Sequence, residues 1–294
     1  MKSARGWLLA FLLVGISPWA QAWGPKGHRI IAALASERLL PATHARVALL
    51  LGSDDLAAAA TWADEMPSSA EDVRFWTDHA ARWHFVSLVP DLDYPSTLQD
   101  QRGDAIVALE TFTAILLDQP LPEGAVTDAL DNYFADFDPH SAEVKRFALQ
   151  FALHILGDLQ QPLHTGYAAD SRGDSLEVLW QGEATTLHSL WDSQLLEYGG
   201  IAEAAYVRRL RSRIERTPRS DIVVMESSEP MRWLDESAAI LERIRRYHAE
   251  TDAPGDDYAA RFVPTVESQL VKGALRTAWY LNNLFGGWPV AAAE

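Results

Sequence analysis

Not one of the 294 residues is cysteine. That absence excludes disulfide crosslinks and any metal site built on thiolates. A metal held by this chain must sit among His, Asp, Glu and backbone groups. Positive charge is also scarce: 25 Lys and Arg face 41 Asp and Glu, for a formal net charge of −16. A field of that sign does not draw in polyanions, so a nucleic-acid substrate would have to be captured locally, by bound cations. Most of the acidity reads as a solvated surface. Strand-like alternation is thin, with Trp83–Val89 and Leu176–Trp180 as short extended candidates. Beyond residue 22 there is no membrane-length apolar run, no internal repeat, no low-complexity linker and no abrupt shift in composition.

What is there begins with a leader. Lys2 and Arg5 precede an apolar stretch from Trp7 to Ile16, and Ala20-Gln21-Ala22 has the small-residue form of a cleavage site. The stretch is too short for a bilayer core of ~30 Å, which takes about 20 apolar residues. Residues 1–22 therefore read as a signal peptide that is removed, with a secreted or periplasmic destination. Residues 23–294 remain as one domain, two charges more negative and with no membrane attachment. Cleavage after Ala22 makes Trp23 the new N-terminus. Its free amine and its carbonyl can chelate a metal, and His28 follows five residues later.

Helical periodicity runs through nearly everything else. His28–Leu40 repeats apolar residues at helical spacing and meets a stop at Pro41; Ala105–Leu117, Ala142–Leu159, Leu187–Tyr198, Ala202–Ile214, Met231–Ala249 and Thr265–Phe285 complete the set. The pattern predicts a single all-α, mostly helical domain packed around an inward-facing polar site.

The polar residues of that site are unevenly spread. His154 and Asp158 stand four apart and interrupt the apolar face of the most strongly periodic helix, so both point inward. A buried Asp that is neither paired nor on a metal is costly. His164 follows just past the helix, behind Gln161-Pro162-Leu163. His188 and Asp192 repeat the four-residue spacing. Asp64, in Trp62-Ala63-Asp64, and His84, in Trp83-His84-Phe85, add an acid and an imidazole flanked by aromatics. Each piece alone has an ordinary structural explanation; the joint set does not. With the Trp23 amine, five histidines and three carboxylates exceed one tetrahedral zinc site and suit two or three ions. Clustered metals activate water and clamp a phosphoryl group. His44, His79, His140 and His248 lack such a context and read as surface or structural residues.

In order, these motifs are Trp23-Gly24-x-x-Gly27-His28, Trp62-Ala63-Asp64, Trp83-His84-Phe85, Leu153-His154-x-x-Gly157-Asp158-x-x-Gln161-Pro162-Leu163-His164 and Leu187-His188-x-x-Trp191-Asp192. That series resembles the single-strand-specific zinc nuclease family, also called type I nucleases or 3′-nucleotidase/nucleases, which shares a superfamily with zinc phospholipase C. The tail near Gly273-Ala274-Leu275-Arg276 is similar to the family's last helix. The resemblance implies a mostly helical fold with three Zn²⁺ in a cleft. By position, Asp64, His84, His154 and Asp158 would hold one zinc. Trp23, through amine and carbonyl, with His28 and Asp158 would hold its neighbour, and His164, His188 and Asp192 the third. Asp64 and the bridging Asp158 count as catalytic as well as metal-binding. The implied reaction is endonucleolytic hydrolysis of single-stranded RNA or DNA to 5′-nucleotides by a hydroxide between the paired zincs, with 3′-nucleotidase activity, in a monomer.

Three positions depart from the family pattern. A basic residue expected three after the Trp-Ala-Asp aspartate is Pro67. The base-reading acid or amide expected three after the Trp-His histidine is Ser87. The family's Gly-Gly-Asn loop aligns with Arg172-Gly173-Asp174, which places Asp174 where an Asn orients the phosphate. Arg172 or Arg74 could supply the missing positive charge, so Arg172 and Asp174 join the catalytic candidates. Two alternatives stand beside the nuclease: a zinc phospholipase C, against which Asp192 and the short Trp23–His28 spacing count, and a non-catalytic zinc-binding protein of the cell envelope.

Overall fold

The computed structural model describes residues 23–69, 73–88, 94, 100–226, 229–251 and 255–286. The signal-peptide reading of residues 1–22 lies outside the described residues, as does Val89, the end of one strand candidate. Helices follow one another as α1 (Pro25–Ser36), α2 (Pro41–Leu51), α3 (Leu56–Ser69), α4 (Ala105–Leu116), α5 (Ala125–Tyr133), α6 (Ala142–Asp158), α7 (Leu187–Ser189), α8 (Leu195–Glu197), α9 (Glu203–Arg216), α10 (Arg219–Glu226), α11 (Pro230–His248) and α12 (Asp256–Phe285). The only sheet among the described residues is a hairpin, β1 (Glu177–Trp180) paired antiparallel with β2 (Glu183–Thr186). The all-α reading holds.

Local chemistry explains the boundaries. Asp104 caps α4 by accepting from the amides of Ile106 and Val107, and Ser141 caps α6 by accepting from Val144. Pro41 does not stop a helix as its sequence context implies. α1 already ends at Ser36, and Pro41 opens α2 in the first helical position, where a missing N–H costs nothing. The last helix begins nine residues before the expected Thr265 and runs through Pro264. Proline inside a helix costs about 3 kcal/mol. The burial of Tyr258, Phe262 and Val266 on either side offsets it, since each such side chain contributes about 1.5–3 kcal/mol. The Trp83–Val89 strand candidate is corrected: Ala80–His84 is a 3₁₀ segment, and the extended chain after it makes a single bridge, Leu88 to Tyr167.

Two apolar cores result. One gathers Trp76, Trp83, Phe112, Phe147 and Phe151; the other gathers Trp23, Leu163, Trp191, Tyr206 and Phe262. α1 and α12 pack against each other and serve both cores: Ala32 and Ala35 face the first, Ile30 and Leu34 the second. Side chains next to the polar residues of the site belong to both cores, Leu153 and Ile155 to one, Leu163, Leu187 and Trp191 to the other.

Candidate metal centre

α6 delivers His154 and Asp158 one turn apart, as the four-residue spacing requires, and both are fully buried. α1 brings His28 to them. The rings of His28 and His154 stack with centroids 3.9 Å apart, and His28 Nε2 lies 3.2 Å from Asp158 Oδ1. This approach requires Gly157: a Cβ there would come within 2.8 Å of His28 Nδ1. α3 adds Asp64, whose Oδ1 is 3.3 Å from His154 Nε2. His84, at the end of its 3₁₀ segment, turns Nδ1 to 3.2 Å from Asp158 Oδ2 and 3.8 Å from Asp64 Oδ1. Asp158 is thus the residue that touches all three histidines.

A second group lies beyond the end of α6. His164 Nε2 and His188 Nε2 are 3.1 Å apart, and His188 Nε2 is 3.3 Å from Asp192 Oδ2. Asp192 falls within a π-helical turn, Leu190–Gln194, that joins α7 to α8; such turns gather at functional sites. The amide of Gly24 donates to the Asp192 carbonyl at 2.8 Å, which ties the start of the described chain to this group. Trp23 itself is fully buried.

These atoms are arranged as ligands to cations. His28 Nε2, His84 Nδ1, His154 Nε2, Asp64 Oδ2 and both oxygens of Asp158 are buried with no hydrogen-bond partner, although opposing groups stand close by. Ligands about 2.0–2.2 Å from a tetrahedral zinc lie roughly 3.3–3.6 Å from one another, and the contacts across both groups, from 3.1 to 3.8 Å, bracket that range. Backbone carbonyls orient three of the rings. His154 Nδ1 donates to the Ala60 carbonyl at 2.7 Å, His164 Nδ1 to that of His84 at 2.7 Å, and His188 Nδ1 to that of Arg172 at 2.9 Å. When such a ring is neutral, the tautomer so selected keeps the lone pair on Nε2. The close Nε2 pair of His164 and His188 is then two acceptors facing each other, an arrangement that a shared cation satisfies. Residues that could hold a metal fall into three sets: His28, His154 and Asp158; Asp64, His84 and His154; His164, His188 and Asp192.

The electrostatics point the same way. Burial opposes a charge on His154, but Asp158 and Asp64 outweigh it and hold its pKa up at about 9. The two carboxylates thus favour a positive charge at this ring, the place that a bound cation would take. Burial drives His164 down to about 3 and pushes Asp192 well above the usual carboxylate range, so neither favours its charged form there.

The loop after His164 carries the remaining candidates. Ser171, Arg172 and Gly173 adopt left-handed backbone in succession, with φ of 51°, 60° and 95°. For the two non-glycine residues that costs roughly 1–2 kcal/mol each. Arg172 packs on Phe85, and Asp174 Oδ2 is 3.9 Å from His188 Nδ1. Arg74 is exposed, Pro67 lies inside α3, and Ser87 is half-buried. His44 and His140 are exposed, and neither they nor His79 and His248 join the metal-binding sets. Two contributors escape a sequence reading. Gln161 donates from Nε2 to Asp192 Oδ1 at 2.6 Å, and its Oε1 accepts from the Leu163 amide. Phe85 supports Arg172. The only available signal was position, Gln161 within the run between two histidines and Phe85 beside His84.

Fold and site together define a helical domain built around buried histidine–carboxylate groups of metal-binding geometry. The chain belongs to the S1/P1 nuclease family, whose family model matches residues 23–286. It is similar to Endonuclease 4 of Arabidopsis thaliana, 26% identical over 316 residues that cover 100% of this chain and 99% of the relative. It is 25% identical to Nuclease S1 of Aspergillus oryzae, with 88% and 91% covered, and 25% identical to Nuclease P1 of Penicillium citrinum, with 90% and 98% covered. The protein is therefore an enzyme, a hydrolytic phosphodiesterase of the nuclease kind. The non-catalytic reading is set aside.

Proposed function

We propose that this protein is an exported zinc nuclease that cleaves single-stranded RNA and DNA to 5′-nucleotides and also removes 3′-phosphates from nucleotides. The observation that carries this reading is the set of buried, unpartnered nitrogen and carboxylate atoms spaced like the edges of zinc coordination shells. In this reading three ions are held. Asp64, His84, His154 and Asp158 hold one, the Trp23 amine and carbonyl with His28 and Asp158 a second, and His164, His188 and Asp192 a third. Zinc bound at these groups supplies Lewis-acid polarisation of a phosphoryl oxygen and a nucleophilic water at neutral pH.

The chain's own residues prepare the rest. Asp158 presents one oxygen toward His28 and the other toward His84 and His154, so its charge offsets repulsion between neighbouring cations. The carbonyls of Ala60, His84 and Arg172 hold their imidazoles in the ligating tautomer. Gln161 keeps Asp192 turned toward His188. The Trp23 amine becomes a ligand only when residues 1–22 are removed, so export and maturation belong to the same reading. No helix among the described residues is long and apolar enough to cross a membrane.

The test uses protein beginning at Trp23, supplied with zinc. Release of acid-soluble nucleotides from single-stranded RNA and DNA is measured beside His154→Ala, and zinc is counted by atomic absorption. Release that His154→Ala abolishes, with three zinc per chain, is expected. Absence of release from the zinc-replete wild type refutes the reading; turnover of phosphatidylcholine in its place would install the phospholipase alternative.

A further inference from the structure

Arg172 is held in place at some expense, yet its charge is not used by the fold. It is the middle of the three left-handed residues, and the conformation is secured from several sides. Its amide donates to the Tyr167 carbonyl at 3.0 Å, and its carbonyl accepts from His188 Nδ1. Asp170, just before it, accepts from the Gly173 amide and is itself ion-paired with Arg245. Gly166 leaves the room the loop needs: a Cβ there would lie 3.0 Å from Arg172 Cα. The product of this arrangement is a guanidinium laid on Phe85, its carbon 3.5 Å from the ring centroid. Phe85 adjoins His84, and the Arg172 carbonyl touches His188, so the cation is anchored next to both metal-binding groups.

A structural arginine in this protein looks different. Arg276, fully buried where Arg172 is half-buried, gives its guanidinium to Gln160, to Glu236 and to the Met225 carbonyl. Arg172 makes no hydrogen bond or ion pair through its guanidinium among the described residues, and its buried Nε lacks an acceptor. Strain, a stacking platform and an unsatisfied buried donor converge on one side chain. A backbone outlier of this kind marks a functional constraint, and a planar donor fork of fixed orientation matches phosphate oxygens.

We propose that Arg172 is the phosphate-binding residue of this enzyme, its guanidinium held on Phe85 to grip non-bridging oxygens of the substrate phosphate at the His164–His188–Asp192 group. The inference rests on the nuclease reading. It also answers a question that the acidic chain raises: Pro67 carries no charge, and Arg172 is an arginine whose own backbone contacts one of the metal-binding groups. Arg172 further offsets Asp174, whose carboxylate stands on the same loop beside His188.

The experiment compares wild type with Arg172→Gln, which keeps a side chain of similar length and the same backbone demands but removes the charge. Zinc-loaded proteins are titrated with inorganic phosphate by calorimetry, KM and kcat are measured on single-stranded RNA, and zinc is counted in each sample. The expected result is full zinc occupancy with phosphate affinity roughly 10- to 100-fold weaker and KM raised by a similar factor. Arg172→Lys should fall between, because it restores charge without the fork. Phe85→Leu should weaken phosphate binding in the same direction while leaving zinc in place. Unchanged phosphate affinity and KM in zinc-replete Arg172→Gln would overturn the proposal. So would loss of zinc that accounts for all the loss of phosphate binding, since that outcome makes Arg172 a support for His188 alone. If Arg172→Gln does not fold, Arg172→Lys and Phe85→Leu decide by the same readouts. Wild type that binds zinc but cleaves neither RNA nor DNA defeats the nuclease reading instead, and the phosphate titration still reports on Arg172.

Discussion

The two metal-binding groups use the same chemistry, histidine with aspartate, but hang on different supports. The inner group is carried mainly by long helices: His28 on α1, Asp64 on α3, His154 and Asp158 on α6. Its neighbours are aromatic; Phe151 packs 5.6 Å from His84 and 5.3 Å from Trp83. The outer group hangs on short pieces. His164 sits in a 3₁₀ turn, Pro162–Thr165, His188 lies in α7 just before a π-helical turn and Asp192 within that turn, while the carbonyl that orients His188 comes from a left-handed loop. Side chains on packed helices are positioned by many contacts at once, whereas loop-borne ones depend on a few hydrogen bonds. The inner group should therefore fail only when a ligand is removed, and the outer group when a single supporting atom is.

The strongest way to break the inner group is Asp158→Asn. One carboxylate serves His28, His84 and His154, so no neighbour compensates. A loss of several kcal/mol of transition-state stabilisation corresponds to roughly 10³-fold or more in kcat/KM. Metal analysis should show the inner sites emptied while the outer group retains its ion; full zinc content in an inactive variant would mean that Asp158 acts otherwise than as a ligand.

Removing all metal with a chelator comes next. The apo protein keeps Asp158, Asp192 and the Asp64 side chain buried without their cations, and ligands that bind only the folded state stabilise it. Thermal unfolding should shift down by at least several degrees and recover on adding zinc. An identical midpoint with and without chelator would mean that the buried carboxylates are satisfied by the protein alone.

Gln161→Leu isolates the outer group. It removes the amide that holds Asp192 without touching a ligand. Loss of such an orienting partner typically weakens metal affinity about 10- to 100-fold. Competition against a zinc indicator should show one weakened site per chain. If all sites weaken together, the two groups are not independently supported and the comparison fails.

How much of this was legible in the chain follows the same division. His154–Asp158 and His188–Asp192 could be read because a four-residue spacing on a helix has one geometric meaning. The helical class was legible for the same reason. The supports were not. The carbonyls of Ala60, His84 and Arg172 are backbone atoms, and residue type carries no signal for them. Nothing about Ser171 and Arg172 announces positive φ, since only the neighbouring Gly173 is of the type that favours it. Helix α2 was missed because Pro41 is chemically able both to end one helix and to begin another. The choice was made by packing, with Val47 and Leu50 buried in the first core.

The smallest effect tests whether the inner group leans on α11 and α12 as well as on its own helices. The chain just past α6 is held by buried side chains: Ser237 donates to the Leu159 carbonyl at 3.0 Å and Gln269 to that of Gln160 at 2.8 Å. Arg276 binds the Gln160 side chain and pairs with Glu236, which also accepts from Lys272. Burial raises the Glu236 carboxyl, but Lys272 and Arg276 outweigh it and hold its pKa below the ordinary glutamate value. A carboxyl depressed on folding contributes stability above its unfolded pKa, and that contribution is lost as pH falls through the lower folded value. Glu236→Gln should therefore lower the unfolding midpoint by a few degrees at neutral pH, and the gap from wild type should close as pH drops below about 4.5. The side chain is 38% exposed, so solvent screening keeps the effect modest. Inner-site zinc affinity that falls with the midpoint would make α11 and α12 part of the inner group's support. A midpoint that shifts with zinc affinity unchanged would confine that support to α1, α3 and α6.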